Sequence, residues 1–212
     1  YYEDGNYYTL NLKKQKKTNI TQNIPTSFIN IYVDNNVNKP ATGNYGWTSD
    51  GKFVLLNDNY DLWKVSSDGK NYSALTDNWK ANKTTTTSYN RIYEDDEAID
   101  LKKDQYFNII NDNDKQKGIA ILPANKNKLE IIKLDDISIS PLQKVKNADK
   151  FVYSIESSQK APEIYISDKA LKQEQKLTEN AANQSNYGLS AGTKLISYVS
   201  DNGDTLQATL YL

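Results

Sequence analysis

Asp61-Leu62-Trp63-Lys64-Val65-Ser66-Ser67-Asp68-Gly69-Lys70-Asn71-Tyr72-Ser73-Ala74-Leu75-Thr76 is the stretch that decides the fold. A short apolar and aromatic run, Leu62, Trp63 and Val65, comes first, Asp68-Gly69 interrupts the chain, and a second short run ends on Leu75-Thr76. Short apolar runs on both sides of an Asp-Gly pair read as a β-hairpin. Trp63, on the incoming strand, stands 13 residues before Thr76. The same spacing separates Tyr8 from Thr21 and Tyr165 from Thr178, with Ile20 and Leu177 in the place of Leu75. A degenerate copy sets Ala120 13 residues before Lys133, with Ile132 as the apolar neighbour. The anchors Tyr8, Trp63, Ala120 and Tyr165 are 55, 57 and 45 residues apart, intervals that suit a four-stranded propeller blade with variable loops.

Outward from these hairpins the chain reads as strands. Short apolar runs, several β-branched or aromatic, lie at 7–12, 53–56, 61–65, 106–110, 118–122, 129–134, 150–155, 163–167, 194–199 and 206–212. Asp4-Gly5, Asp50-Gly51, Asp68-Gly69 and Asn202-Gly203 punctuate them as turns. Helical periodicity is confined to 97–103 and 168–175, too short for a helical layer. The expected fold is all-β, a partial β-propeller of about three to four blades of four-stranded antiparallel sheet. An unclosed arc leaves strand edges unpaired, so those edges are expected to meet further chain or a second copy.

Composition narrows the function. The 212 residues carry a net charge of −1, which argues against a nucleic-acid surface. Aromatic residues make up 11%, too many for a disordered segment, and no apolar run is long enough to insert in a membrane. Without Cys or His there is no disulfide, no thiolate metal site, no Ser-His-Asp triad and no imidazole base. Met is absent even at position 1, which reads as a processed chain or a portion of a longer one. No metal or other cofactor is expected.

The residues Gly43-Asn44-Tyr45-Gly46-Trp47-Thr48-Ser49-Asp50-Gly51-Lys52, then Val54-Leu55-Leu56-Asn57-Asp58-Asn59-Tyr60-Asp61-Leu62-Trp63, form a specific pattern. So does Ala98-Ile99-Asp100-Leu101-Lys102-Lys103 after an acidic cluster. Together they resemble the propeller domain of bacterial serine peptidases of the prolyl oligopeptidase family, in its dipeptidyl-peptidase and acylaminoacyl-peptidase branch. Asn186-Tyr187-Gly188, where the family tends to have Trp-Gly, departs from the pattern. The resemblance implies that 1–193 form the partial propeller. It also implies that 194–212 lead toward an α/β-hydrolase domain outside this sequence, which would hold the catalytic residues. No Gly-x-Ser-x-Gly of a nucleophile elbow is expected here, and this chain alone is not expected to be an enzyme. The implied role is to gate peptide access to that active site, in the periplasm or cell envelope. The alternative is a non-enzymatic envelope module that binds glycans or a protein partner.

Glu94-Asp95-Asp96-Glu97 is the densest charge and, by the resemblance, a candidate holder of a substrate amino terminus. The competing reading is a solvated loop opening a short helix, since consecutive side chains cannot all enter one pocket. Asp58, Asp61 and Trp63 form the strongest local motif. They read as a core ring, with carboxylates satisfying backbone amides, in preference to groups aimed into a channel. Trp47 is expected in the core and Trp79, in a Lys- and Thr-rich stretch, at the surface, where it could stack on sugars. Asn111-Asp112-Asn113-Asp114 misses the calcium-loop glycine and reads as a turn.

Overall fold

A computed structural model describes residues 1–33, 38–93, 97–186 and 191–212. The chain is all-β, built from short antiparallel sheets of the kind that make propeller blades. The first sheet holds β1 (Tyr2–Glu3), β2 (Asn6–Asn11) and β3 (Lys16–Asn19). The second holds β4 (Gly43–Trp47), β5 (Phe53–Asn57), β6 (Leu62–Ser66) and β7 (Tyr72–Ala74), antiparallel and in chain order. After helix α1 (Trp79–Asn82) come β8 (Thr84–Asn90), β9 (Gln105–Asn111), β10 (Lys117–Leu122) and β11 (Glu130–Asp135), again a four-stranded sheet in chain order. The fourth sheet has β12 (Ser138–Ile139), β13 (Gln143–Lys144), β14 (Phe151–Ser157), β15 (Lys160–Ser167) and β16 (Gln175–Lys176). A separate hairpin pairs β17 (Thr193–Val199) with β18 (Thr205–Tyr211). Every apolar run named from the sequence lies on one of these strands.

Contacts divide the chain into two compact units, residues 1–113 with 119–132, and 114–118 with 133–212. In the first unit Tyr7, Ile20, Ile24, Phe28, Val54, Leu56 and Val65 form one apolar cluster, with Tyr2, Ala41 and Trp63 packed against it. Sheets one and two therefore share a core. A polar seam joins sheets two and three: the Tyr45 hydroxyl reaches the Thr86 carbonyl at 3.0 Å, and Asn57 Nδ2 donates to Thr86 Oγ1 at 2.7 Å. Buried amides and hydroxyls are tolerated where, as here, they bond to one another. In the second unit Phe151 and Tyr153 are buried on β14. There the Tyr153 hydroxyl donates to Glu174, which also takes the Lys133 ammonium at 2.9 Å.

The two stretches with helical periodicity are not helices. Residues 97–103 are bends and turns around an isolated bridge in which Ile99 pairs with Thr48. Ile99, fully buried, donates its N–H to the Trp47 carbonyl at 2.8 Å and accepts from Ser49 at 2.9 Å. Pairing with the end of β4 satisfies both polar groups of a buried residue, and a lone helical turn would leave them open. Residues 168–175 are likewise turns and bends up to β16.

Candidate functional site

The corner between β5 and β6 is built by Asp58. Its Oδ1 accepts the N–H groups of Tyr60 (3.1 Å) and Asp61 (2.7 Å), and its Oδ2 accepts Trp63 Nε1 at 2.8 Å. A carboxylate that closes an Asx turn and also holds an indole fixes the corner in one conformation. Asn59, at φ 91, makes the bend, and its side chain bonds the Ile29 carbonyl and the Ile31 N–H. Asp61 turns the other way and accepts from Thr76 Oγ1 at 2.5 Å. Burial pushes the Asp61 carboxyl above its ordinary value, with the Thr76 hydroxyl opposing.

The ring-and-threonine spacing has a bond-level cause. Thr76 Oγ1 accepts the Leu62 N–H at 3.3 Å, and the Leu75 N–H donates to the Leu62 carbonyl at 2.7 Å. Thr21 does the same for Tyr7 (3.0 Å), Ile20 donates to the Tyr7 carbonyl (2.9 Å), and Thr21 Oγ1 donates to Asn6 Oδ1 at 3.2 Å. Thr178 accepts the Ile164 N–H at 2.9 Å, Leu177 donates to the Ile164 carbonyl at 2.7 Å, and the Thr178 hydroxyl donates to Glu163. The aromatic pairs with the eleventh residue after it each time: Tyr8 with Asn19, Trp63 with Ala74, Tyr165 with Lys176. Each threonine thus continues a ladder by one rung after the strand has ended. The acceptors Asn6, Asp61 and Glu163, 15 residues before each Thr, are members of the pattern that the spacing argument missed. An Asn/Asp/Glu two residues before each ring was the available signal. In the degenerate copy the acceptor's place is taken by Gly118. A Cβ there would lie 1.8 Å from the Lys133 carbonyl oxygen, so the backbones meet where a side chain would stand.

Trp47 and Trp79 exchange the places expected of them. Trp47 is 39% exposed and Trp79 is 5%. The cause at Trp47 is a bulge: β4–β5 register shifts between Asn44 and Gly46, where Gly46 has φ +118. The extra residue re-aims the side chains that follow. Trp79 opens α1, a single turn flanked by left-handed Asn78 and Lys83, which folds the indole inward despite its polar neighbours. The sugar-stacking surface expected at Trp79 is therefore absent there.

Glu97 is exposed and stands outside any helix, while Glu94, Asp95 and Asp96 lie outside the described residues. Asn111-Asp112-Asn113-Asp114 is a turn region in which Asn111 Nδ2 bonds the Asn82 carbonyl at 2.9 Å. No group of three metal-ligating side chains occurs among the described residues, and no buried side-chain nitrogen or oxygen there lacks a partner. The letters Gly-x-Ser-x-Gly do occur once, as Gly188-Leu189-Ser190-Ala191-Gly192, which corrects the expectation of no such pattern. Its first three residues lie outside the described residues. It follows the 3₁₀ turn Asn180–Asn186 and precedes β17, whereas a nucleophile elbow runs from strand to helix. With no His in the chain, the serine has no imidazole base.

No protein-family model and no curated protein matches the chain. Among solved structures, the AtxE2 isopeptidase with Astexin3-dC4 bound is similar at TM-score 0.46 and 12% identity, over 97% of this chain and 29% of that one. An acylaminoacyl peptidase in complex with Z-Gly-Gly-Phe-chloromethyl ketone is similar at TM-score 0.48 and 13% identity, over 81% and 25%. The chain spans under a third of the length of either. Likenesses this slight carry no activity to it.

Proposed function

We propose that this chain is the non-catalytic propeller portion of an exported serine peptidase of the prolyl oligopeptidase kind. It gates the entry of short peptides to an active site on a hydrolase domain outside the 212 residues. The observation that supports the reading is the stretch from Gly43 to Trp63, whose sequence carries the resemblance. It folds as three antiparallel strands of a four-stranded sheet, with Asp58 and Asp61 bonded inward to backbone, indole and hydroxyl. Carboxylates so occupied are scaffold, and without His the chain supplies no imidazole base for a Ser-His-Asp acyl transfer.

A propeller set over a hydrolase acts by exclusion: folded proteins are too wide and short peptides pass. In this reading the partners are the peptide substrate, the hydrolase domain and, at unpaired blade edges, further chain or a second copy. The parent's place is the periplasm or cell envelope, and Glu94 to Glu97 are candidates for holding the substrate's amino terminus. The test is the parent reading frame. Continuation into an α/β-hydrolase with a strand-borne Gly-x-Ser-x-Gly and a later His is the expected result. A stop codon after Leu212 overturns the reading.

A further inference from the structure

The hairpin of β2 and β3 turns through Leu12-Lys13-Lys14-Gln15-Lys16, all of them exposed. Residues 5 to 33 hold four lysines, Lys13, Lys14, Lys16 and Lys17, and no Asp or Glu. Leu12 is 74% exposed at the same tip. We propose that this tip docks on the surface of a bilayer rich in anionic phospholipid. Lys13, Lys14 and Lys16 meet the headgroups, and Leu12 enters the apolar boundary beneath them.

Three observations carry the assignment. The first is how the turn is closed. Lys13 stands five residues after Tyr8, as Asp68 stands five after Trp63 in the sister hairpin. There the Asp68 carboxylate accepts from Ser66 Oγ at 2.6 Å and from the Lys70 N–H at 3.1 Å. In the β2–β3 hairpin neutral groups take over: Asn11 Oδ1 accepts the Lys14 N–H at 2.9 Å, and Gln15 Nε2 donates to the Leu12 carbonyl at 2.8 Å. Gln15 itself makes the bend at φ 50. The turn is thus fixed without a carboxylate, and nothing in it neutralises the lysines. A tip already held in one shape loses little freedom when a surface covers it.

The second observation is charge. Among the described residues none of Lys13, Lys14 and Lys16 forms an ion pair, whereas Lys17 is paired with Glu3 and stands outside the patch. The net charge of −1 belongs to the whole chain and conceals this local excess. A lysine close to an anionic leaflet strengthens binding about fivefold. The third observation is Leu12. An apolar side chain flanked by cations suits the boundary between headgroups and acyl chains, with the lysine stems lying along it and their ammonium groups in water. A soluble polyanion would offer that leucine nothing apolar, so the bilayer is the partner that uses the whole tip. This inference does not depend on the peptidase reading, since the tip contains no group assigned to peptide gating.

The test is co-sedimentation of the purified chain with vesicles of phosphatidylglycerol and phosphatidylcholine in equal parts, and with vesicles of phosphatidylcholine alone. Binding to the anionic vesicles only is expected at about 0.05 M salt, and its loss at about 0.5 M. Lys13→Ala, Lys14→Ala and Lys16→Ala combined should weaken it about tenfold or more, and Leu12→Ser about threefold or more. Both variants should keep the wild-type melting temperature, because the side chains are exposed. Lys70→Ala, Lys126→Ala and Lys160→Ala combined, at exposed lysines elsewhere, should bind within about twofold of wild type. No binding to anionic vesicles overturns the proposal, as does binding that the tip variants leave unchanged or that the distant lysines weaken equally. Binding of soluble polyphosphate through the tip, with no vesicle bound, also overturns it.

Discussion

Thr76 and Asp61 are locked to one another: the threonine hydroxyl donates to the Asp61 carboxylate at 2.5 Å while accepting the N–H of Leu62. The same two-bond latch closes the hairpins of Tyr8 with Thr21 and Tyr165 with Thr178, so a local device recurs in three sheets. Removing the hydroxyl at Thr76 strands a buried amide and deprives a half-buried carboxylate of its donor. Thr76→Val should destabilise the chain by about 1–3 kcal/mol, and Thr76→Ser by much less. Thr178→Val, at a less buried latch, should cost less than Thr76→Val. Urea unfolding of the three variants checks the order, and equal values for all three would contradict it.

The latches differ in how they respond to acid. The Thr178 hydroxyl, and next the Ala181 N–H, hold the Glu163 carboxyl below its ordinary 4.5. A lowered carboxylate adds stability in full above that value and loses it as pH falls through the folded-state value. Asp61 has the opposite sign: its raised carboxyl disfavours the folded state once ionised, and the penalty disappears as pH falls through its folded-state value. Glu163→Gln should therefore flatten the loss of stability below pH 4.5, and Asp61→Asn should be no less stable than wild type at pH 7. Melting temperatures from pH 3 to 7 measure both. An unchanged acid limb in Glu163→Gln would refute the assignment.

Two glycine turns share one construction and differ in their surroundings. Thr48 Oγ1 donates to Asp50 Oδ1, as Ser66 Oγ does to Asp68 Oδ1, both at 2.6 Å, and each Asp accepts the N–H two residues on at 3.1 Å. Gly51 (φ +68) has open space around it, but a Cβ on Gly69 (φ +71) would lie 2.8 Å from Ile20 Cα and 3.0 Å from the Asn19 carbonyl oxygen. Gly51→Ala should cost about 1 kcal/mol, from backbone strain alone. Gly69→Ala should cost clearly more, because backbone must move. Thermal unfolding of the pair decides it, and equal costs would contradict the close approach.

Trp79→Ala should cost about 3–5 kcal/mol and Trp47→Ala less than about 1 kcal/mol, reversing the ranking that their sequence neighbourhoods suggest. Denaturant titration of both variants measures the two costs.

The strands were legible because their signals are local: alternation, β-branched runs and Asp-Gly turns all act within a few residues. The hairpin register was legible through Thr21, Thr76 and Thr178, since a side-chain hydrogen bond at fixed register forces a fixed spacing. What escaped depends on distant chain. Ile99 was not recognisable as the partner of Thr48, because a single bridge leaves no periodicity. The outward turn of Trp47 follows from a bulge at Gly46 that shifts alternation by one, and Trp79 is buried by one helical turn that its lysines and threonines disguise. The letters at Gly188 to Gly192 show the converse, a motif whose pattern matches while its strand order does not.

Under the proposed function, this chain shapes access to a reaction that another domain of its parent performs. The direct measurement is hydrolysis of aminoacyl and dipeptidyl reporter substrates by the purified 212-residue chain and, in parallel, by the parent protein. The account predicts turnover by the parent, abolished by a serine-directed inhibitor, and none by the chain. Inhibitor-sensitive turnover by the chain alone, lost in Ser190→Ala, would contradict it.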